Sequence, residues 1–272
     1  MLGKLLKHEI RQSGRSVMMV YIAAAAVVLL IGIALLAKIT WLSLLGNLIL
    51  GLVAVAGVLM TLVSVIKTFY DTCYGNQGYL TFTLPVKCST LLFSKVVTCF
   101  IWIILSLVLG AACGAMMVLN TKAMADGDLA GFFSIFQMEE IQALLPTKEM
   151  MISGVAALLA NLLLSILTFV GFVYFAVTIA NTRPLQKHPK LFGFLTFFVS
   201  YGVCNAIGTK LTYSLPLSLV VTEDRLKIAF TAMDSGEALF AFGLGGTLFM
   251  ALVALVMLFV TGYIMEHKVN IK

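Results

Sequence analysis

The sequence predicts an all-α polytopic membrane protein with six transmembrane helices and both termini in the cytosol. Three observations carry that expectation. Apolar residues fill 61% of the 272 positions and charged residues only 11%, too few charges to clothe a water-soluble domain of this length. The apolar residues come in long unbroken runs, and a hydrocarbon core about 30 Å thick needs roughly 20 of them per helix. The runs do not alternate with polar residues as barrel strands would, so helices remain as the way for a backbone in lipid to satisfy its own hydrogen bonds. Third, the basic residues gather on alternate connecting segments, which is the positive-inside pattern of a multi-pass chain.

Residues 1–16 are too polar to span. At 100° per residue Lys4, Lys7, Arg11 and Arg15 fall on one narrow stripe, with Leu2, Leu5, Leu6 and Ile10 on the other side. The segment reads as an interfacial amphipathic helix, and Gly14 offers a bend into the first span. Glu9 sits amid the leucines rather than among the lysines, which leaves two readings open. Its carboxylate is solvated at the headgroup boundary, or this face packs on protein and Glu9 meets a cation from Lys67, Lys95 or Arg183.

Residues 17–272 form the six-span domain. Its spans run approximately over 17–37, 41–66, 96–119, 151–179, 191–207 and 238–264. The first is expected to be retained rather than cleaved as a signal peptide, because it exceeds an ordinary signal core and the second span begins only three residues later. Placing the N terminus, the loops after spans two and four and the C terminus on one side collects twelve of the eighteen Lys and Arg residues, against three of the twelve acids. That side is predicted to be cytosolic. The same distribution accounts for the formal net charge of +6 without nucleic acid, because the cations are dispersed over four segments separated by spans and suit anionic headgroups.

The segment 67–95 between spans two and three is the most informative. Gly75 and Gly78 bracket a turn, Gly78 to Leu84 has the makings of a short amphipathic segment, and Pro85 stops it. Tyr79, Leu80, Phe82 and Leu84 are thereby displayed on the cytosolic side, where apolar groups mark a docking surface. Two outer loops are expected. The first, 120–150, mixes Phe132, Phe133 and Phe136 with five acids and reads as a helix on the outer leaflet. The second, 210–237, contains an apolar stretch from Leu215 to Val221 that dips part-way into the membrane.

Motifs for chemistry are missing. No GxxxxGK[ST] string with a nucleotide-cradling context is present, and the five cysteines form no CxxC pair or Cys/His cluster, reading as small packing residues. Gly243-Leu244-Gly245-Gly246 lies in an apolar stretch, where close helix packing is the ordinary use of such glycines. The spans hold no ionisable group at mid-depth of the kind ion-coupled transporters carry, and no serine–histidine, paired-aspartate or zinc arrangement for an intramembrane protease. No catalytic, cofactor-binding or metal-ligating residue is expected. Asn47, Asn161 and Asn205 are the notable polar residues inside spans. They serve as interhelical hydrogen-bonding groups worth about 0.6 kcal/mol each, or they line a weakly polar translocation path.

The run Gly78-Tyr79-Leu80-Thr81-Phe82-Thr83-Leu84-Pro85, with Lys95 ten residues after the proline, resembles the cytosolic loop between the second and third spans of ABC type-2 transporter permeases. The opening Leu5-Leu6-Lys7-His8-Glu9-Ile10-Arg11 with Arg15 resembles their N-terminal helix, and with the six spans the similarity extends over essentially the whole chain. Gln77 departs from it, standing where many relatives have an acid. The resemblance implies a bacterial plasma-membrane exporter subunit. Its loop residues Gly78, Tyr79, Leu80, Phe82, Leu84 and Pro85 would rest as a coupling helix on a separate cytosolic ABC ATPase, which alone would bind ATP and magnesium. It also implies a second permease chain, identical or paralogous. The alternatives are an ABC-type complex that senses or protects against envelope-acting peptides, and a membrane scaffold that recruits no ATPase.

Overall fold

The computed structural model describes residues 2–36, 40–75, 78, 88–126, 148–182, 185, 187–214, 217–221, 226–230 and 240–267. Six long helices dominate them: α1 (Leu2–Leu36), α2 (Thr40–Cys73), α3 (Cys88–Asp126), α4 (Lys148–Ala180), α5 (Pro189–Ser214) and α6 (Leu244–His267). Five are long and apolar enough to cross a bilayer, over Leu45–Cys73, Cys88–Val118, Val155–Ala180, Pro189–Thr212 and Gly245–His267. The sixth is α1, which bends by 54° between Gly3–Gly14 and Val17–Ile33. The chain is therefore a multi-pass, predominantly α-helical membrane protein. Large apolar side chains such as Leu29, Leu30, Phe194 and Phe259 are exposed, as helices solvated by lipid require.

Local sequence explains how the elements begin and end. Gly14 lies at the bend of α1, where an added Cβ would stand 3.4 Å from the Trp102 indole. The end of α4 tightens through Asn181 N–H to Thr178 O (3.2 Å) and Thr182 N–H to Ile179 O (3.0 Å). The Asn181 side chain also donates to the Val177 carbonyl, so otherwise orphaned carbonyls of the last turn are satisfied. Pro189 opens α5, where its missing N–H costs nothing. The turn expected at Gly75 and Gly78 is present, closed by Gly78 N–H donating to Gly75 O at 2.9 Å.

Residues 210–237 depart from expectation. Instead of an apolar dip, β1 (Leu217–Val221) pairs antiparallel with β2 (Leu226–Phe230), and on its other edge with β3 (Phe240–Gly243), giving the order β2-β1-β3. Leu219 stands opposite Ile228 in one ladder and Phe242 in the other. The reason lies in the sequence Leu217-Ser218-Leu219-Val220-Val221: β-branched residues and short-range alternation favour a strand, and a five-residue apolar run cannot span as a helix. The same sheet moves the start of the last span. Residues 240–243 belong to β3, and the helix expected from 238 begins at Leu244. Of the other expected outer loop, residues 120–126 continue α3 and 148–150 open α4, while 127–147 lie outside the described residues.

The chain divides into two compact units, Met1–Thr72 with Thr90–Glu139, and Cys73–Ser89 with Glu140–Lys272. The first is centred on Ile31, Leu50 and Cys113, with Val27, Ala54, Met116 and Met117 around them. In the second, Val170, Phe172, Tyr174 and Ala254 are buried. There Gly171 approaches Ala254 so closely that an added Cβ would lie 2.9 Å from the Ala254 carbonyl oxygen. Gly246 meets α5 in the same way, where an added Cβ would lie 2.8 Å from Gly208 O and against the Thr212 hydroxyl. Close packing is thus the use of Gly246, as its glycine-rich surroundings predict; Gly243, by contrast, ends β3 rather than lying within the helix.

Candidate functional site

One end of the first unit carries a group of polar side chains on three helices. The first turns of α1 place Glu9 and Ser13, four residues apart, on one face, where both are buried. The last turn of α2 supplies Thr72 and the second turn of α3 supplies Lys95. Lys95 Nζ stands 2.7 Å from Glu9 Oε1 and 2.6 Å from Thr72 Oγ1. Side-chain exposure is 3% for the lysine and 10% for the glutamate, so water screens this pair little. Of the two readings of Glu9, the structure has the second: its face packs on protein, and of the three cations considered the partner is Lys95.

The group extends inward. Ser13 Oγ donates to the Glu9 carbonyl at 2.7 Å and accepts the Trp102 indole N–H at 2.8 Å. The Tyr21 hydroxyl donates to the Trp102 carbonyl at 3.2 Å, with the two rings 6.2 Å apart. A buried ammonium and carboxylate are tolerable only when paired and hydrogen-bonded, and the Glu9, Lys95 and Thr72 arrangement meets that condition. Thr72, Ser13 and Trp102 escaped the sequence reading. The available signal was the offset of Glu9 and Ser13 onto the leucine face, which asks for polar partners without naming them.

The opposite face of the N-terminal segment exposes Lys4, Lys7, His8 and Arg11. Arg15 lies within α1, its side chain outside those described. Of the residues assigned to the coupling loop, Gly78 is described and buried, while Tyr79, Leu80, Phe82, Leu84 and Pro85 lie outside the described residues. In the second unit the Tyr74 hydroxyl donates to Thr178 Oγ1 at 2.8 Å. Burial pushes the Tyr74 phenol well above its ordinary pKa, and the Thr178 hydrogen bond offsets only part of that rise.

The three asparagines have different surroundings. Asn47 accepts from Asn120 Nδ2 at 2.7 Å and donates to Thr121 Oγ1 at 3.1 Å, tying α2 to α3. Asn161 and Asn205 each accept, through the backbone carbonyl, the hydroxyl one turn further on, from Ser165 and Thr209. Asn205 is exposed. All five cysteines are free, three of them buried, and the described residues contain no group of His, Cys, Asp and Glu able to hold a metal ion. The arrangement ties helices to one another through side-chain contacts between α1, α2 and α3.

Fold and site together define a multi-pass helical membrane protein whose N-terminal segment is tied by a buried ion pair to α3, which is in turn hydrogen-bonded to the end of α2. No family model, curated protein or solved structure matches the chain.

Proposed function

We propose that the chain is the permease subunit of an ATP-driven exporter of the ABC type-2 class, working with a separate cytosolic ATPase and a second permease chain in a bacterial plasma membrane. The observation that carries this reading is the Glu9–Lys95–Thr72 junction. Thr72 and Lys95 flank, in sequence, the Gly78-to-Pro85 loop that resembles a coupling helix. A force applied to that loop by a closing ATPase pulls on the ends of α2 and α3, and the junction passes it to α1. The buried pair resists shear because separating its charges in a poorly screened site is costly. In this reading the N terminus, the 67–95 loop and the C terminus face the cytosol, in keeping with the excess of basic residues there. Asn161 and Asn205 then belong to the shared path.

The test is purification of the chain from its native membrane followed by nucleotide hydrolysis measurements on the complex. An ATPase subunit should accompany it, and Leu80→Asp or Leu84→Asp should release that subunit or uncouple its hydrolysis. Purification of the chain without any nucleotide-binding partner would support the scaffold reading and end this one.

A further inference from the structure

The N-terminal segment of α1 displays its charges in an unusual way. Residues 2–16 contain a single acid, Glu9, and that acid is turned to the protein side and committed to Lys95. The described charged side chains left on the outer face are Lys4, Lys7 and Arg11, joined by His8, and all four are exposed. Successive members of the face, Lys4 to Lys7 and His8, and these to Arg11, are three or four residues apart, so they are surface neighbours roughly 5–6 Å from one another at Cβ. Like charges at that spacing repel, and a helix built for water alone places an acid one turn away to relieve them. Here the only acid has been removed from the face.

The bend sets where this face lies. Gly3–Gly14 makes 54° with Val17–Ile33, and a helix of that length is about 18 Å long at 1.5 Å per residue. With the span upright, its far end rises about 11 Å above the bend, enough to cross a headgroup layer of about 5–8 Å beyond the hydrocarbon core. Leu5, Leu6 and Ile10 are half-buried and Glu9 is buried, while Lys4, Lys7, His8 and Arg11 on the opposite side of the helix are exposed.

We infer that Lys4, Lys7, His8 and Arg11 form a binding face for anionic phospholipid headgroups, held in place from behind by the Glu9–Lys95 pair. Lys4 and Lys7 act as point charges on the phosphate, and the Arg11 guanidinium offers the forked donors that match phosphate oxygens. The ion pair contributes twice: it fixes the segment against the ends of α2 and α3, and it keeps the Glu9 carboxylate from competing for the same cations. The lipid contact needs no ATPase partner.

The full-length chain is reconstituted in phosphatidylcholine nanodiscs containing trace spin-labelled phosphatidylglycerol or spin-labelled phosphatidylcholine, and the fraction of each label immobilised by the protein gives their relative association constants. Phosphatidylglycerol should be preferred, and the preference should fall by about fivefold for each charge removed in the series ending at the triple variant K4Q/K7Q/R11Q. The charge-preserving K4R/K7R/R11K should keep it, which separates loss of charge from loss of fold. Preference unchanged in the neutral triple variant would overturn the assignment. So would an equal loss from K187Q/K190Q, because the effect would then belong to charged edges in general rather than to this face.

Discussion

The two compact units hold their helices together by different means. In the first, side chains reach across: Glu9 to Lys95, Lys95 to Thr72, Trp102 to Ser13 and Asn120 to Asn47. In the second, backbones approach: Gly171 lies against Ala254 and Gly246 against Gly208, with aromatic pairs such as Phe172 and Tyr201 (5.5 Å between centroids) filling the flanks. In lipid, apolar burial between helices gives little net drive, so hydrogen bonds and close van der Waals contact are the two routes available. The first route gives an interaction that can be switched by moving one charge. The second gives a fit that tolerates almost no added volume. In the proposed function a transmission element belongs with the first and a rigid wall with the second.

The largest expected effect breaks the switchable contact. Lys95→Met or Glu9→Gln leaves one polar or charged partner buried without its counterpart and should cost about 3–5 kcal/mol, read as a lowered unfolding midpoint in detergent. The double variant E9L/K95M should recover most of the loss, since two apolar groups carry no desolvation penalty. A double variant as unstable as the worse single would show that the pair acts through something other than its buried charge.

Next comes the rigid wall. Gly171→Val places a side chain where an added Cβ already meets the Ala254 backbone at 2.9 Å, and should destabilise by about 1–3 kcal/mol through overpacking. Ala254→Gly in the Gly171→Val background opens space on the facing helix, and partial recovery of the midpoint would place the strain at this crossing.

Removing single hydrogen bonds should matter less. Trp102→Phe deletes the N–H that Ser13 accepts and should cost about 1 kcal/mol. Tyr74→Phe deletes the bond to Thr178 at a similar or smaller cost, and it carries a signature in pH. Because burial raises the Tyr74 pKa in the folded chain, the folded state keeps its proton where the unfolded one releases it. Stability is therefore intact below about pH 10 and declines as pH rises above it. Alkaline titration of unfolding should show that decline in the parent chain and a smaller one in Tyr74→Phe.

Gly114 marks the smallest effect and reverses the sign. A Cβ there meets nothing within 4 Å, so Gly114→Ala should stabilise by roughly 0.5–1 kcal/mol through backbone entropy. A destabilisation measured in the assembled complex, but not in the isolated chain, would place a neighbouring subunit on this face of α3.

The legible features were those written locally. Six apolar runs, the bend at Gly14, the turn at Gly75 and Gly78 and the displaced position of Glu9 could all be read because hydropathy, glycine placement and helical phase depend on residues a few positions apart. The strands at 217–243 were missed because an apolar run after a span was read for its hydropathy, whereas its β-branched composition and a pairing segment nine residues away decided its form.

By itself, then, the sequence determined that this chain crosses a membrane repeatedly, that its first helix is amphipathic, and that one acid on that helix required an account. The tertiary structure alone chose Lys95 over Lys67 and Arg183, added Thr72 and Trp102, and set Gly171 against Ala254. Partners separated by 86 residues in the chain leave no periodic trace in it, because a charge on a leucine face is compatible with several cations, and only the packing of three helix ends decides which one it can reach.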